Sequence, residues 1–245
     1  MARAEEHLET VHLPLGRRPP PPAGQADVWL IDLQDLPLDT PGSGVTRRQR
    51  IMQRRIRQRF FLRLLLSAYL GCPGKDIRLT RSARGKPALA GQHADTGLEF
   101  NLSHCGSWLA VAVATGVAVG IDIERERELV RVDRLAQRCL SAAEAQWLKQ
   151  LDQPFRSHRF LHQWCAREAL VKARGCGLAG MLDEMELGWN PAAIRRLPAS
   201  WLGREHMGLT ALSLPDGLIG QLASMNGALK ARLRLVAAAA QPPEA

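Results

Sequence analysis

Period-two alternation is clearest in Val117–Glu124, VAVGIDIE. Side chains of a strand point alternately to its two faces. Val117, Val119, Ile121 and Ile123 therefore share an apolar face, and Ala118, Gly120, Asp122 and Glu124 share the other. Burial of the apolar face fixes the register, so both carboxylates point the same way. Asp27–Gln34 (DVWLIDLQ) predicts an earlier strand, Ile77–Thr80 a short one and Leu98–Ser103 another. Leu109–Ala114 and Val117–Ile123 are expected to pair as a hairpin around Thr115-Gly116. From Glu186 to Val236, short apolar stretches alternate with turn signals at Asn190-Pro191, Pro215-Asp216-Gly217 and Asn226-Gly227. That pattern predicts antiparallel strands and hairpins.

Two long stretches change to helical spacing. In Arg47–Leu70, Met52, Ile56, Phe60 and Leu64 recur at i+4, and Ile51, Phe61, Leu65 and Ala68 widen the stripe. Gly71 and Pro73 end it. The second helix is expected from Phe155 to Ala173, closed by Gly175 and Gly177. Between them, Leu129–Cys139 reads as a shorter helix, and the capping box Ser141–Glu144 opens another that runs to about Leu151. Leu36–Gly44 is a loop by its Pro, Asp, Thr and Gly content.

Each half thus carries a strand, a long helix and antiparallel strands, with the split near Thr115. The expected class is α+β, α/β sandwich-like, with two similar subdomains over residues 26–115 and 116–236. Residues 1–25, with Pro14 and Pro19–Pro22, read as an extended tail without a core, and residues 237–245 as a second tail.

Composition narrows the picture. The chain has 245 residues, is 46% hydrophobic and carries a formal charge of +9, so an anionic partner is expected. Five cysteines form no CxxC pair, which argues against a zinc site and for reduced thiols in the cytoplasm. Glu5, Glu6 and Glu9 replace the apolar run of a secretory signal, and no apolar run is long enough to cross a membrane. Eight arginines and no acid fall between Arg47 and Arg63. Such a run can be a solvated face, or can hold phosphate through bidentate hydrogen bonds. Aromatics are 5% of residues and do not interleave with the basic ones, so nucleic-acid stacking is not expected.

The chemistry-bearing residues cluster by type. Two carboxylates beside Gly120 suit an oxygen-ligated cation such as Mg²⁺, although two acids can also simply end an edge strand in water. Arg84-Gly85-Lys86-Pro87 reads as a tight turn with Lys86 at its tip. The strand at Leu98 delivers Ser103-His104 beside Gly106, a small residue that lets a ligand approach the backbone. Trp164, Glu168 and Lys172 share one helix face, where Glu168 and Lys172 alone would be an ordinary ion pair.

Four stretches then carry a resemblance: RGKPAL at 84–89, FNLSHCG at 100–106, VGIDIE at 119–124, and WCAREALVK at 164–172 followed by GCGL. In order and spacing they resemble the Sfp-type 4'-phosphopantetheinyl transferases, over about residues 47–180. The resemblance implies a pseudo-dimer of two α/β subdomains with the active site in the cleft between them. It implies transfer of phosphopantetheine from coenzyme A to a serine of an acidic carrier protein, with Mg²⁺, releasing 3',5'-ADP. Asp122, Glu124 and Glu168 would be the metal ligands. Lys172 would hold the pyrophosphate, and Glu168 would be the natural general base. Lys86, Ser103 and His104 would bind the coenzyme's phosphates, with Arg84, Gly85 and Pro87 beside the adenosine. Arg55 falls near a family position that contacts the coenzyme. A monomer that binds neither nucleic acid nor membrane is implied.

The chain departs from the family pattern where Arg167 replaces a lysine and Arg84 an aromatic or histidine. Arg47, Arg48 or Arg50 would replace the lysines that bind the 3'-phosphate. Two other functions use the same residues. A metal-dependent phosphoesterase or nuclease would use water as nucleophile. A non-catalytic basic anion-binding protein would need no metal.

Overall fold

Four layers stack in the order helix, sheet, sheet, helices. The computed structural model describes residues 8–34, 46–177, 181–189, 193–215 and 217–238. In chain order these form β1 (Glu9–His12), β2 (Gln25–Asp32), α1 (Arg47–Leu70), β3 (Arg78–Arg81), β4 (Pro87–Ala90), β5 (Leu98–Cys105), β6 (Trp108–Thr115) and β7 (Val119–Arg125). There follow α2 (Val132–Cys139), α3 (Ala142–Leu148), α4 (Phe155–Arg174), β8 (Glu186–Leu187), β9 (Ile194–Arg196), β10 (Gly208–Leu212), β11 (Leu218–Ser224) and β12 (Lys230–Ala237). The expected loop Leu36–Gly44, the turn at Asn190-Pro191, Asp216, and the chain ends 1–7 and 239–245 lie outside the described residues.

The larger sheet has the order β1-β12-β2-β6-β5, and the smaller is β10-β11-β7. In the larger sheet, β6 reads WLAVAVAT and from Leu109 onward sorts its side chains by size. Leu109, Val111 and Val113 lie in one core with Phe61, Leu65 and Leu66 of α1. Ala110, Ala112 and Ala114 lie in another with Val119, Ile121 and Ile123 of β7. Small side chains on that face let the two sheets pack closely. Beyond the smaller sheet, α2, α3 and α4 build a third core around Phe160, Ala169, Leu170 and Trp201. The α+β class and the two-subdomain arrangement therefore hold.

The expected hairpin does not form. β6 pairs with β2 and β5, whereas β7 pairs with β11. Both edges of β6 are already filled, so Thr115-Gly116 is a crossing between sheets and not a hairpin turn. The final strand also corrects the sequence reading. β12 leaves the C-terminal half and lies parallel to both β1 and β2. Its Arg232 reaches Asp27 Oδ1 at 2.7 Å and its Arg234 at 3.3 Å. Tyr69 donates to Asp27 Oδ2 at 2.5 Å, and Trp29 Nε1 donates to the Tyr69 hydroxyl at 2.8 Å. Asp27 is almost wholly buried, and a buried carboxylate needs charged or hydrogen-bonding partners. β12 supplies two guanidiniums. Burial and the neighbouring Asp27 push the Tyr69 hydroxyl well above its ordinary pKa.

The N-terminal stretch is not a bare tail over its described part. Glu9–His12 form β1, Arg18 N–H donates to Ala68 O, and the Arg18 guanidinium lies 4.9 Å from the Trp29 ring centroid. The apolar stripe of α1 is a further correction. Met52, Ile56 and Phe60 are 64%, 56% and 50% exposed, and burial begins only at Phe61. The helix matches its expected span, capped by Thr46 and by left-handed Gly71, but its first half projects past the sheet.

Candidate active site

β7 and α4 meet because residue 120 is glycine. A Cβ there would overlap the carbonyl of Ala169 and the backbone of Lys172 and Ala173. With no side chain in the way, α4 lies directly on β7 and brings Glu168 and Lys172 over the face that carries Asp122. The opposite side of β7 is satisfied from β5. Asn101 Oδ1 accepts the Ile121 N–H at 3.0 Å, and Ser103 Oγ donates to Asp122 Oδ1 at 2.7 Å.

Lys172 completes this junction. Its Nζ donates to Asp122 Oδ1 at 2.7 Å, to Ser103 Oγ at 3.2 Å and to the Ile121 carbonyl at 3.2 Å. Asp122 and Ser103 are buried, and Lys172 is about a quarter exposed. The surface ion pair between Glu168 and Lys172 is therefore replaced by a pair between Lys172 and Asp122. Glu168 is also buried. Burial pushes its carboxyl up to about 7, Lys172 opposes the shift, and the charges of Asp122 and Glu124 add to it. Glu124 lies at the rim, 3.1 Å from Arg127 Nη1.

One cavity adjoins the junction, and a second adjoins the first. The first, of about 380 Å³, is lined by Arg84, Gly85, Lys86 and Pro87 from the first half, and by Glu168 and Lys172 from the second. Pro87 and Leu102 also line a neighbouring cavity of about 580 Å³, walled by Arg55, Arg59, Arg63 and Arg81. Arg84 donates to the Cys176 carbonyl across the gap. Lys86 is not presented free at a turn tip. Its Nζ donates to Val119 O at 3.0 Å and Ala173 O at 3.2 Å, so it ties the β3–β4 turn to β7 and α4. An ammonium has three N–H donors, which leaves one for a ligand. Burial lowers the Lys86 pKa, and Glu99 opposes that. His104 is exposed at the end of β5 and lines neither cavity. Its pKa is lowered by partial burial, then by Arg54 and Lys172, with Asp122 and Glu124 opposing.

Asp122, Glu124 and Glu168, the expected metal ligands, do not form a metal cluster as they stand. Among the described residues, no three His, Cys, Asp or Glu side chains are gathered as a ready metal cluster. The donor set nevertheless suits Mg²⁺, which takes carboxylate oxygens and keeps several waters. Asp122 Oδ2 is buried and has no hydrogen-bond partner among the described residues, and Glu168 senses both other carboxylates. An orphaned buried carboxylate oxygen is costly unless something fills it.

Arg59, Arg63, Arg81 and Asn101 were not singled out from sequence. Arg55, Arg59 and Arg63 repeat at i+4 on one face of α1, so their spacing was a usable signal. Arg167 turns away from the cleft. It is fully buried and donates to Glu144 Oε2 at 2.5 Å, to Gln163 Oε1 at 2.6 Å, and to the carbonyls of Met185 and Leu182 at 3.0 and 3.1 Å. At this position, where the resemblance implies a lysine, the chain has a structural guanidinium that locks α4 to α3 and to residues 182–185.

Two α/β halves thus meet at an acidic strand, a lysine-bearing helix and two cavities lined by basic side chains. A family model described as the 4'-phosphopantetheinyl transferase superfamily matches residues 118–208, and one for the N-terminal part of 4'-phosphopantetheinyl transferases matches residues 47–116. The chain is 31% identical over 170 residues to 4'-phosphopantetheinyl transferase HetI of Nostoc sp., covering 67% of this chain and 71% of that one. The chain belongs to the 4'-phosphopantetheinyl transferase family and transfers phosphopantetheine to carrier proteins. It is also 28% identical over 141 residues to human L-aminoadipate-semialdehyde dehydrogenase-phosphopantetheinyl transferase, covering 54% of this chain and 46% of that one. The crystal structure of Thermotoga maritima holo-[acyl-carrier-protein] synthase aligns with a TM-score of 0.32 at 21% identity, over 47% of this chain and 65% of that one.

Proposed function

We propose that this chain moves 4'-phosphopantetheine from coenzyme A to a serine hydroxyl of an acidic carrier protein, with Mg²⁺, and releases 3',5'-ADP. The observation that carries this reading is the Ser103–Asp122–Lys172 junction beside a cavity walled by both halves of the chain. In this reading the coenzyme spans the two adjoining cavities. Its pyrophosphate lies against Lys172 and the remaining N–H of Lys86. Its 3'-phosphate lies among Arg55, Arg59, Arg63 and Arg81, whose planar forks suit phosphate. Arg84, Gly85 and Pro87 flank the adenosine.

Asp122, Glu124 and Glu168 would hold the metal, which when bound supplies charge neutralisation at the pyrophosphate. Glu168 is held within reach of both the cavity and the acidic face, and accepts the proton of the incoming serine. The serine oxygen forms the new P–O bond, and the bond from that phosphorus to the bridging oxygen of the pyrophosphate breaks. Lys172 then holds the charge on the departing phosphate. Transfer of this kind is mostly positioning and charge stabilisation. One chain supplies both walls of the cleft, so a monomer is sufficient. Five free thiols fit a cytoplasmic setting.

The test is intact-mass analysis of an apo carrier protein incubated with coenzyme A and Mg²⁺, with and without this protein. The expected result is a gain of one phosphopantetheine that needs the protein, the metal and the acceptor serine. Release of 3',5'-ADP without any acceptor would instead identify a phosphoesterase. No product of either kind would leave an anion-binding protein.

A further inference from the structure

The first half of α4 carries His158 and His162, one turn apart and so on one face. Their Nε2 atoms are 3.2 Å apart, with ring centroids 4.5 Å apart and planes tilted by 55°. The carboxylate of Glu126, just past β7, places Oε1 3.7 Å from His158 Nε2. His158 and Glu126 are 31% and 50% exposed, so the group is open to solvent. None of the three serves the transfer chemistry above.

We propose that His158 and His162 are a binding site for a borderline transition cation, of which Zn²⁺ is the type, with Glu126 as a third ligand. Two nitrogens bound to one tetrahedral zinc at about 2.0–2.1 Å are about 3.3 Å apart. The two Nε2 atoms are already at that spacing, and binding needs the shared proton to move to Nδ1 of its ring and both Nε2 lone pairs to turn toward the ion. Imidazole pairs at i and i+4 are a recurrent helical arrangement for Zn²⁺. Imidazole nitrogen suits zinc, copper and nickel, whereas Mg²⁺ prefers oxygen. The pair would therefore select a different cation from the one suited to Asp122, Glu124 and Glu168. Among the described residues no three such side chains are gathered as a ready cluster. Glu126 must close in from His158, with water completing the shell.

The site is separate from the acidic face. His162 precedes Glu168 by six residues, about 9 Å along the helix and about two-thirds of a turn around it. A cation held there would clip α4 to the segment that follows Glu124. Because it would bind only the folded chain, it would stabilise that chain by mass action.

Zn²⁺ titration calorimetry on tag-free protein, with Mg²⁺ in large excess to occupy the carboxylates, tests this. One equivalent of Zn²⁺ should bind, and should still bind to Asp122→Asn. Binding should disappear in His158→Gln and in His162→Gln, and weaken by about tenfold or more in Glu126→Gln. Electron paramagnetic resonance of the Cu²⁺-loaded wild-type protein should show coupling to two nitrogens, a readout independent of any variant's folding. Failure of the wild type to bind Zn²⁺ would reduce the pair to a hydrogen bond between imidazoles and overturn the proposal. Zinc retained by both histidine variants would place the ion on thiols or carboxylates, and zinc lost in Asp122→Asn would place it on the carboxylates; either would equally overturn it.

Discussion

The two long helices, α1 and α4, do opposite things with their polar residues. α1 buries only its second half, and most of its arginines are exposed, Arg57 and Arg63 excepted. α4 is buried along most of its length and carries Gln163, Arg167 and Glu168 inside the protein. Exposed arginines can meet a phosphate with little reorganisation, since a guanidinium keeps its charge in any surroundings. A proton acceptor benefits from the reverse, because burial is what moves a carboxyl toward neutrality. In the proposed reaction, binding falls to the loosely packed helix and chemistry to the tightly packed one.

That contrast is broken most severely at Arg167. Arg167→Ala should cost about 3–5 kcal/mol, because it strands Glu144 as an unpaired buried charge. Denaturant unfolding would measure it. The same change at Arg55 or Arg59 should stay within about 0.5 kcal/mol, as for most surface substitutions. If the two classes of arginine cost alike, the contrast between the helices fails. Gly120→Ala should come next, at about 3 kcal/mol or more, because the new Cβ meets helix backbone that cannot step aside. Its thermal unfolding midpoint should drop, and transfer should fall with it as Glu168 and Lys172 are displaced.

The third expectation separates roles within α4. Glu168→Gln keeps the shape of the side chain and removes its basicity, so turnover should fall by roughly 10²–10⁴-fold while coenzyme A binding persists. Lys172→Ala should lose binding and rate together. Both need a Mg²⁺ titration, and full recovery of Glu168→Gln at high Mg²⁺ would make Glu168 a ligand only.

A smaller effect sits on α1. Arg55→Ala combined with Arg59→Ala should weaken coenzyme A more than dephospho-coenzyme A, by about tenfold for a lost charged contact. Calorimetry with both ligands decides it, and equal losses would move the 3'-phosphate elsewhere.

The smallest effect is one of pH in metal-free protein. Burial first, then His158 and Arg159, push His162 down to about 4, and Glu126 lies on the far side of His158. Unfolded, this histidine titrates near the ordinary value of about 6.5. Between those values the unfolded chain binds the extra proton, so stability is full above about 6.5 and declines as pH falls toward 4. His162→Gln should flatten that part of a stability–pH profile. A variant with the wild-type slope would assign the loss to other groups.

How much of this was legible in the sequence follows from the range of each signal. The register of β7 was readable because alternation is local and one face is wholly apolar. The C-terminal end of α1 was readable from Gly71 and Pro73, but the Thr46 cap and the depth of its burial were not. Helical spacing shows which residues share a face and says nothing about how far a sheet extends beneath it. The junction of Ser103, Asp122 and Lys172 joins three elements, and only the family resemblance had gathered them. Lys86 was read as a free tip because its partners, Val119 O and Ala173 O, are distant backbone carbonyls. The pairing of β12 with β2 spans about two hundred residues, and no local pattern encodes it.

That last pairing has a consequence for synthesis. Asp27 emerges from the ribosome about two hundred residues before Arg232 and Arg234. Until they do, the larger sheet lacks the strand between β1 and β2, and a buried aspartate lacks its counter-charges. The first half cannot finish folding as an independent unit while the second is being made. Pairings this distant in sequence slow folding and leave strand edges open in the meantime. The nascent chain is therefore expected to stay open to proteases and chaperones until β12 has been made, and then to close both halves together.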